Sequence, residues 1–536
     1  MQEYYEKLQR EVKEGKCTLG IELGSTRIKA VLIDSEKHPA ASGSYSWENR
    51  YEDGVWTYSL EDIRTGIQEA YADLARDLET KCGEQLRRPA AIGISAMMHG
   101  YMAFDQNGEL LVPFRTWRNT MTQEAAEKLT ALFSYNIPQR WSIAHLYQAM
   151  LNKEAHLPEL AFFTTLAGYI HWILTGEKVL GIGDASGMFP IDSEKKCYDE
   201  EMLGKFEALA ETKAYPWKIR EILPAIRLAG ESAGNLTAEG AAFLDVSGNL
   251  EAGVPLCPPE GDAGTGMAAT NAVAVRTGNV SAGTSIFAMA VLEHALKKVH
   301  TEIDLVTTPD GAPVAMVHCN NCTSDINAWM GLLREFAETM GFEPDMNVMF
   351  EKLFHKAMES APDCGGLLSY CFLSGEPVAG LAAGRPMFVR TPSAKLDLAN
   401  FMRTHIYGAI ASLALGMDIL FCEEDVKLDR LMGHGGLFKT KGVGQQIMAD
   451  AMGVPVSVME TAGEGGAWGI ALLAAYLVEK KDGQTLPDYL NEAVFSRTEA
   501  ETLAPDKAGQ AGFAAFLRAY RAGLPAEGAA VSHIAG

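Results

Sequence analysis

Three short stretches combine residue types that can do chemistry. In GVPLCPPEGDAGTGMAA, residues 253–269, Asp262 follows Gly261 and precedes Ala263-Gly264-Thr265-Gly266. Little side-chain bulk competes with its carboxylate there. An Asp at such a turn serves either as an ordinary helix N-cap or, at a junction between two halves of a chain, as a base that takes a proton from a bound hydroxyl. In GIELGSTRIKAVLID, residues 20–34, Gly24-Ser25-Thr26 separates two runs of strand formers, with Lys29 just beyond. One reading is a plain β-hairpin; the other is a phosphate cradle, in which small residues let backbone N–H groups and hydroxyls approach an anion while Lys29 adds positive charge. About half a chain later, GNVSAGTSIFAMAVL, residues 278–292, repeats the strand, Gly/Ser/Thr turn and strand. The repeat suggests two similar halves, each with a hydroxyl-bearing hairpin, the two facing each other around one polyphosphate. Chance similarity between Gly-rich hairpins is the competing reading.

Other nucleotide and catalytic motifs fail. The run Gly433 to Thr440 ends like a P-loop, but Phe438 stands where glycine must precede Lys439. The run Gly463 to Gly469 is one residue too long for a dinucleotide fingerprint, and no ribose-binding acid follows. Gly93-Ile94-Ser95-Ala96-Met97 lacks the second glycine of a nucleophile elbow, and no HExxH occurs. Cys319-Asn320-Asn321-Cys322 is a lone CxxC without the second pair that a zinc site needs. His99 and Trp117 lie where both reach a pocket at strand ends, although a satisfied imidazole and a core aromatic explain them equally. His145, Tyr147 and Gln148 face either a cleft or the core, and Asp450 reads as solvated or capping.

The elements that position these residues alternate. An acidic amphipathic helix is expected over 60–81, a short apolar strand over 91–95 and a hairpin turning at Asn107-Gly108, with a Pro- and Gly-rich connection at 253–269 leading into a helix. At 536 residues the chain exceeds a single core, so two or more domains are expected. The composition, 47% hydrophobic and 21% charged, is that of a globular protein. A formal charge of −23 excludes a nucleic-acid surface, which needs clustered Lys and Arg. The start, MQEYYEKLQREVKEGK, has no apolar signal core, and the aliphatic stretch at 469–478 is too short to cross a bilayer. The nine Cys are odd in number and scattered. A cytoplasmic protein without membrane or nucleic-acid partners is therefore expected.

Six stretches in order, GIELGSTRIKAVLID, GISAMMHG, GDAGTGMAA, SAGTSIF, GHGGLFKTKGVGQQIMADAMGVPV and GEGGAWGIALLAA, resemble the FGGY family of carbohydrate kinases over roughly the whole chain. The resemblance implies an α/β fold of two ribonuclease-H-like (actin-like ATPase) domains with an interdomain cleft: an N-terminal sugar-binding domain over 14–254 and a C-terminal ATP-binding domain over 255–536. It implies ATP-dependent phosphorylation of a sugar hydroxyl, with ATP and Mg²⁺ as cofactors. By position, Asp262 matches the catalytic base and also touches substrate. Thr26 and Lys29 meet ATP phosphates, as do Gly283, Thr284 and Ser285, and Gly435 and Gly436 lie against the adenosine. Met98 and His99 resemble the Met-His of xylulokinases and, with Trp117, line the sugar site, whereas GGLFKTKGVGQQIMAD has a spacing similar to ribulokinases. A ketose kinase acting on a pentulose such as xylulose fits both; ribulose, another ketose or a polyol is the alternative, and a non-catalytic sugar or nucleotide sensor is the alternative of another class. A homodimer is left open. Asp184-Ala185-Ser186 resembles a structural segment of the family. Two departures stand out: Glu22 replaces the usual Asp near Mg²⁺, and Asn119 replaces the Asp two residues after Trp117 with the following Arg absent, which is expected to remove charge from the sugar site.

Overall fold

The computed structural model describes residues 2–459, 465–496 and 500–534. They form two compact units. The first gathers the described residues of 1–274, 304–314 and 463–498; the second gathers those of 275–303, 315–462 and 499–536.

The first unit is built on a sheet whose neighbours run Glu260–Gly261, Ala91–Ala96, Thr18–Leu23, Arg27–Ile33, Pro39–Ser46. Thr18–Leu23 pairs antiparallel with Arg27–Ile33 and parallel with Ala91–Ala96, which in turn runs parallel to Glu260–Gly261. All three central strands are almost wholly buried, as expected of aliphatic, β-branched runs packed on both faces. The helix Leu60–Cys82 covers one face. Ser59 and Asp62 close its start as a capping box, and Gly83 in the left-handed region ends it.

On the other face the helix Gly465–Glu479 comes within backbone contact of the sheet. A Cβ on Gly20 would stand 2.1 Å from the Ala467 carbonyl, and one on Gly93 would stand 2.6 Å from the Ile470 side chain. The 465–479 helix also packs on the helix Asp262–Ala269, where Gly469 meets the Thr265 carbonyl. The units therefore differ from the division read at 254/255. Residues 255–274 join the first unit because Glu260 and Gly261 pair with Ser95 and Ala96, and 463–498 join it because this helix needs the glycine-lined face of that sheet.

The second unit repeats the strand order. Thr277–Ala282 pairs antiparallel with Ile286–Val291 and parallel with Arg430–His434, which runs parallel to Val456–Val458. The internal similarity read between residues 20–34 and 278–292 thus extends to the order and sense of the strands beside each hairpin. The helix Leu398–Asp418, with its continuation to Glu423, is long and apolar enough by composition to span a bilayer, and 78% of its most apolar window is buried in the protein. Asp450 is buried rather than solvated; its Oδ1 accepts the Asp506 N–H at 2.7 Å, at the start of the helix Lys507–His533.

The close approach at Gly20 yields a stability prediction. Gly20→Ala should lower the unfolding free energy by about 1–3 kcal/mol, because a backbone carbonyl cannot rotate away as a side chain can. Gly204→Ala, on a helix with nothing within 4 Å of the added methyl, should be neutral or mildly stabilising. Equal losses in thermal unfolding of the two variants would refute the close-packing account.

Candidate active site

The first hairpin is held from the protein side. The Trp47 indole N–H donates to the Gly24 carbonyl at 2.7 Å, the Tyr58 hydroxyl to the Ser25 carbonyl at 2.5 Å, and the Trp117 indole N–H to Ser25 Oγ at 3.1 Å. Trp47 and Tyr58 stack with centroids 4.1 Å apart, so rigid aromatics support the turn. With its carbonyls engaged behind, the turn leaves Thr26 exposed. Lys29 lies opposite Glu22 in the strand register.

Glu22 reaches the start of the Gly465–Glu479 helix and accepts the backbone N–H groups of Gly466 and Ala467. A Cβ on Gly466 would stand 2.2 Å from Glu22 Oε1, so the glycine is what admits the carboxylate. Burial, with Asp262 adding to it, pushes the Glu22 carboxyl up to about 7, against the helix N–H groups and Lys29. Of the motif GEGGAWG, Gly463 and Glu464 lie outside the described residues.

Asp262 is the first residue of its helix, not the cap; Gly261 holds the cap position without a side-chain bond. Freed from capping, Asp262 Oδ1 accepts the Met98 N–H at 3.1 Å, just past the end of Ala91–Ala96. The residue is exposed to solvent, yet so much protein surrounds the carboxyl that desolvation raises its pKa above the ordinary carboxylate value, opposed by the N–H groups of Met98 and Ala263. Asp262 is thus both reachable and poorly hydrated, and reachability is what a base requires.

The chain turns sharply after Met98. His99 has φ of 70° and Gly100 of 95°, which swings the buried imidazole under the strand end. The ring stacks on Trp141, and its Nδ1 lies 3.2 Å from the Gly187 carbonyl. Burial first, then Arg140, hold its pKa well below the usual imidazole value. A neutral ring whose Nδ1–H donates to a carbonyl keeps Nε2 as an acceptor.

One sequence expectation changes here and one open reading is resolved. Asn119 is buried and does not present its amide to a sugar: its Oδ1 accepts the Trp56 N–H at 2.8 Å, and its Nδ2 donates to the carbonyls of Trp56 at 2.8 Å and Thr116 at 2.9 Å. An Asp could not make the last two bonds. On the Trp141-capped helix, His145 is fully buried with neither ring nitrogen partnered among the described residues, and Gln148 accepts the Ala125 N–H, so the core explanation holds for both. Cys319 and Cys322 are buried free thiols whose pKa values burial raises, Cys322 to about 12; neither belongs to a metal-spaced group among the described residues.

In the second unit, Gly283, Thr284 and Ser285 form the turn between Thr277–Ala282 and Ile286–Val291, with Thr284 exposed. Thr323 clamps this turn: its N–H and Oγ1 donate to the Gly283 carbonyl at 3.0 and 2.7 Å. Gly435 has φ of 101° and passes so close to the hairpin that a Cβ would stand 2.4 Å from the Ala282 carbonyl. Only glycine fits there. The fold thus brings Gly435 and Gly436 beside the 283–285 turn. Thr323 was not read from the sequence, because its partner lies forty residues away and no local spacing signals it.

The sequence profile described as the FGGY family of carbohydrate kinases, N-terminal domain, matches residues 17–266, and that of the C-terminal domain matches residues 278–478. The chain belongs to the FGGY family of carbohydrate kinases. It is accordingly an ATP-dependent phosphotransferase with two actin-like, ribonuclease-H-like domains. A xylulose kinase of Lactococcus lactis is 22% identical over 476 residues, covering 85% of this chain and 87% of the relative. A glycerol kinase of Thermococcus kodakarensis is 25% identical over 308 residues, covering 55% of this chain and 56% of its own. Among solved structures, a xylulose kinase and a gluconate kinase of Lactobacillus acidophilus each superpose with a TM-score of 0.76 at 18% identity, covering 96% of this chain and 99% of theirs.

The geometry generates two predictions. The folded Glu22 carboxyl titrates above its ordinary value, so its contribution to stability is present in acid and lost as pH rises toward and through about 7. In metal-free buffer, the unfolding midpoint of Glu22→Gln should therefore gain on the wild type between pH 5 and pH 8; a constant difference across that range would refute it. Asn119→Asp should lower stability by about 1–3 kcal/mol in chemical denaturation, since the Nδ2 bonds to the Trp56 and Thr116 carbonyls are lost and a carboxylate oxygen is set against those carbonyl oxygens. An unchanged midpoint would show that Asn119 is not the clip described.

Proposed function

We propose that this FGGY kinase transfers the γ-phosphoryl group of ATP to a hydroxyl of a ketose, with a pentulose such as xylulose as the substrate class. The observation that carries this reading is the Asp262 carboxylate, reachable from solvent and aligned by the Met98 N–H next to a neutral His99. Asp262 accepts the proton of the attacking hydroxyl; its raised pKa makes it a stronger base than an ordinary carboxylate. His99 Nε2 accepts from a second substrate hydroxyl, and Met98 and Trp117 supply apolar and stacking surface. Thr26 and Lys29 on the first hairpin, and Gly283, Thr284 and Ser285 on the second, bind phosphate oxygens. Gly435 and Gly436 give the adenosine a surface without side chains. Sugar binding is thereby assigned to the N-terminal half and most nucleotide binding to the C-terminal half.

The donor set at Glu22 suits Mg²⁺. A hard carboxylate pushed to high pKa by burial and by Asp262 gains from a divalent cation, and its extra methylene relative to Asp extends its reach. Mg²⁺ held by Glu22 would supply positive charge to the phosphoryl oxygens. A polyol acceptor is the second reading, favoured by the glycerol kinases among the relatives. The sensor reading loses one support, because Asn119 is engaged by backbone and takes no charge away from a sugar.

The test is ATP consumption with Mg²⁺ against a panel of ketoses, polyols and aldoses, run beside Asp262→Asn. Ketose-dependent turnover is expected in the wild type, with a loss of about 100-fold or more in the variant and ATP binding retained. Turnover undiminished in Asp262→Asn would overturn the base, and ATP binding with no acceptor stimulating turnover would replace the kinase reading with the sensor.

A further inference from the structure

The carboxylate two residues before Asp262 occupies a niche cleared of side chains. Glu260 is 1% exposed; its Oε1 accepts the Gly183 N–H at 3.2 Å and its Oε2 the Asp184 N–H at 2.9 Å. A Cβ would stand 2.2 Å from Oε1 at Gly181, 2.4 Å from Oε2 at Gly183 and 3.2 Å from Oε2 at Gly264. Three glycines on two separate segments thus make room for one side chain.

The segment that Glu260 grips is itself fixed. Asp184 Oδ2 accepts the Thr165 hydroxyl at 2.6 Å, the Thr307 N–H donates to Ser186 Oγ at 3.1 Å, and the Thr307 hydroxyl donates to the Ile182 carbonyl at 3.1 Å. The Gly181 N–H adds a bond to the Pro259 carbonyl at 2.8 Å. On its other side, Glu260 and Gly261 pair with Ser95 and Ala96, and that strand leads to Met98, whose N–H holds Asp262. The base is therefore steadied from in front by Met98 and from behind by Glu260.

Burying a carboxylate is unfavourable, and a neutral side chain could fill a niche at less cost in stability. Here burial, then Asp184, pushes the Glu260 pKa well up. What the carboxylate offers, and an apolar residue does not, is two acceptors spaced for two consecutive N–H groups.

We propose that Glu260 is a positioning residue for phosphoryl transfer, tying the 181–184 segment to the Gly261-Asp262 step and so fixing the direction of the Asp262 carboxylate. The inference rests on the reading of Asp262 as the base. A misdirected base leaves binding intact and slows chemistry, so the signature is a fall in kcat without a rise in KM.

The experiment is steady-state kinetics of the full-length protein with ATP and the most active sugar of the panel, for Glu260→Gln, Gly264→Ala and Asp262→Asn, each with thermal unfolding and nucleotide-binding calorimetry. Glu260→Gln keeps the shape but replaces one acceptor by a donor, and kcat should fall about 100-fold with both KM values held within about twofold. Gly264→Ala crowds the niche mildly and should show the same split at smaller size, which keeps the test decisive if the Gln variant folds poorly. Folded variants with wild-type kcat, or with kcat, KM and nucleotide affinity failing together, overturn the positioning role. An active Asp262→Asn overturns the base reading instead, whereas an inactive Asp262→Asn beside a fully active Glu260→Gln overturns only this inference.

Discussion

Backbone meets backbone where the helix Gly465–Glu479 crosses the strands Thr18–Leu23 and Ala91–Ala96, and much of the first unit follows from that contact. It requires glycine at Gly20 and Gly93, while Gly469 admits the neighbouring helix at Thr265. Because the helix lies so close, its first N–H groups arrive at the end of the first strand, where Glu22 accepts them. The same helix packs against Asp262–Ala269, so one close crossing sets the positions of both Glu22 and the proposed base. An ordinary helix-on-sheet distance of about 10 Å would leave Glu22 short of those donors.

Charge in this unit is arranged by what each carboxylate is given to bind. Glu22 has two helix N–H groups and a lysine across the strand; Asp262 has the Met98 N–H; Asp184 has Thr165; Glu260 has two N–H groups in a glycine niche. Desolvation raises all four and the partners hold them down by differing amounts, so a small region contains acids of graded strength.

Local chemistry made much of this readable. The alternation around Gly24-Ser25-Thr26 and Gly283-Thr284-Ser285 marked both hairpins, the helix at Leu60–Cys82 announced itself through its amphipathic period, and the glycine beside Asp262 marked a carboxylate without crowding. What stayed hidden was tertiary. Asn119 reads as a lost charge until its amide is seen to clip Trp56, and Asp262 reads as a cap until Gly261 takes that place. Glu260 gave no signal at all, because its meaning lies in glycines about eighty residues earlier. The division at 254/255 followed the family resemblance and the Pro- and Gly-rich connection, whereas the packing follows a strand pairing and a helix contact that neither encodes.

The first unit takes its last helix from residues 465–479, after the whole described core of the second unit's hairpin and central strand has been laid down in the chain. During synthesis, then, the N-terminal sheet emerges with its glycine-lined face bare, and it remains bare while nearly two hundred further residues are made. A ribosome adding about 5–20 residues per second leaves that face waiting for roughly ten seconds or longer. Nascent chains thus carry an exposed apolar sheet surface through more than a third of their translation, which gives chaperones a natural point of engagement and makes late truncation far more damaging to the first unit than its position in the sequence suggests.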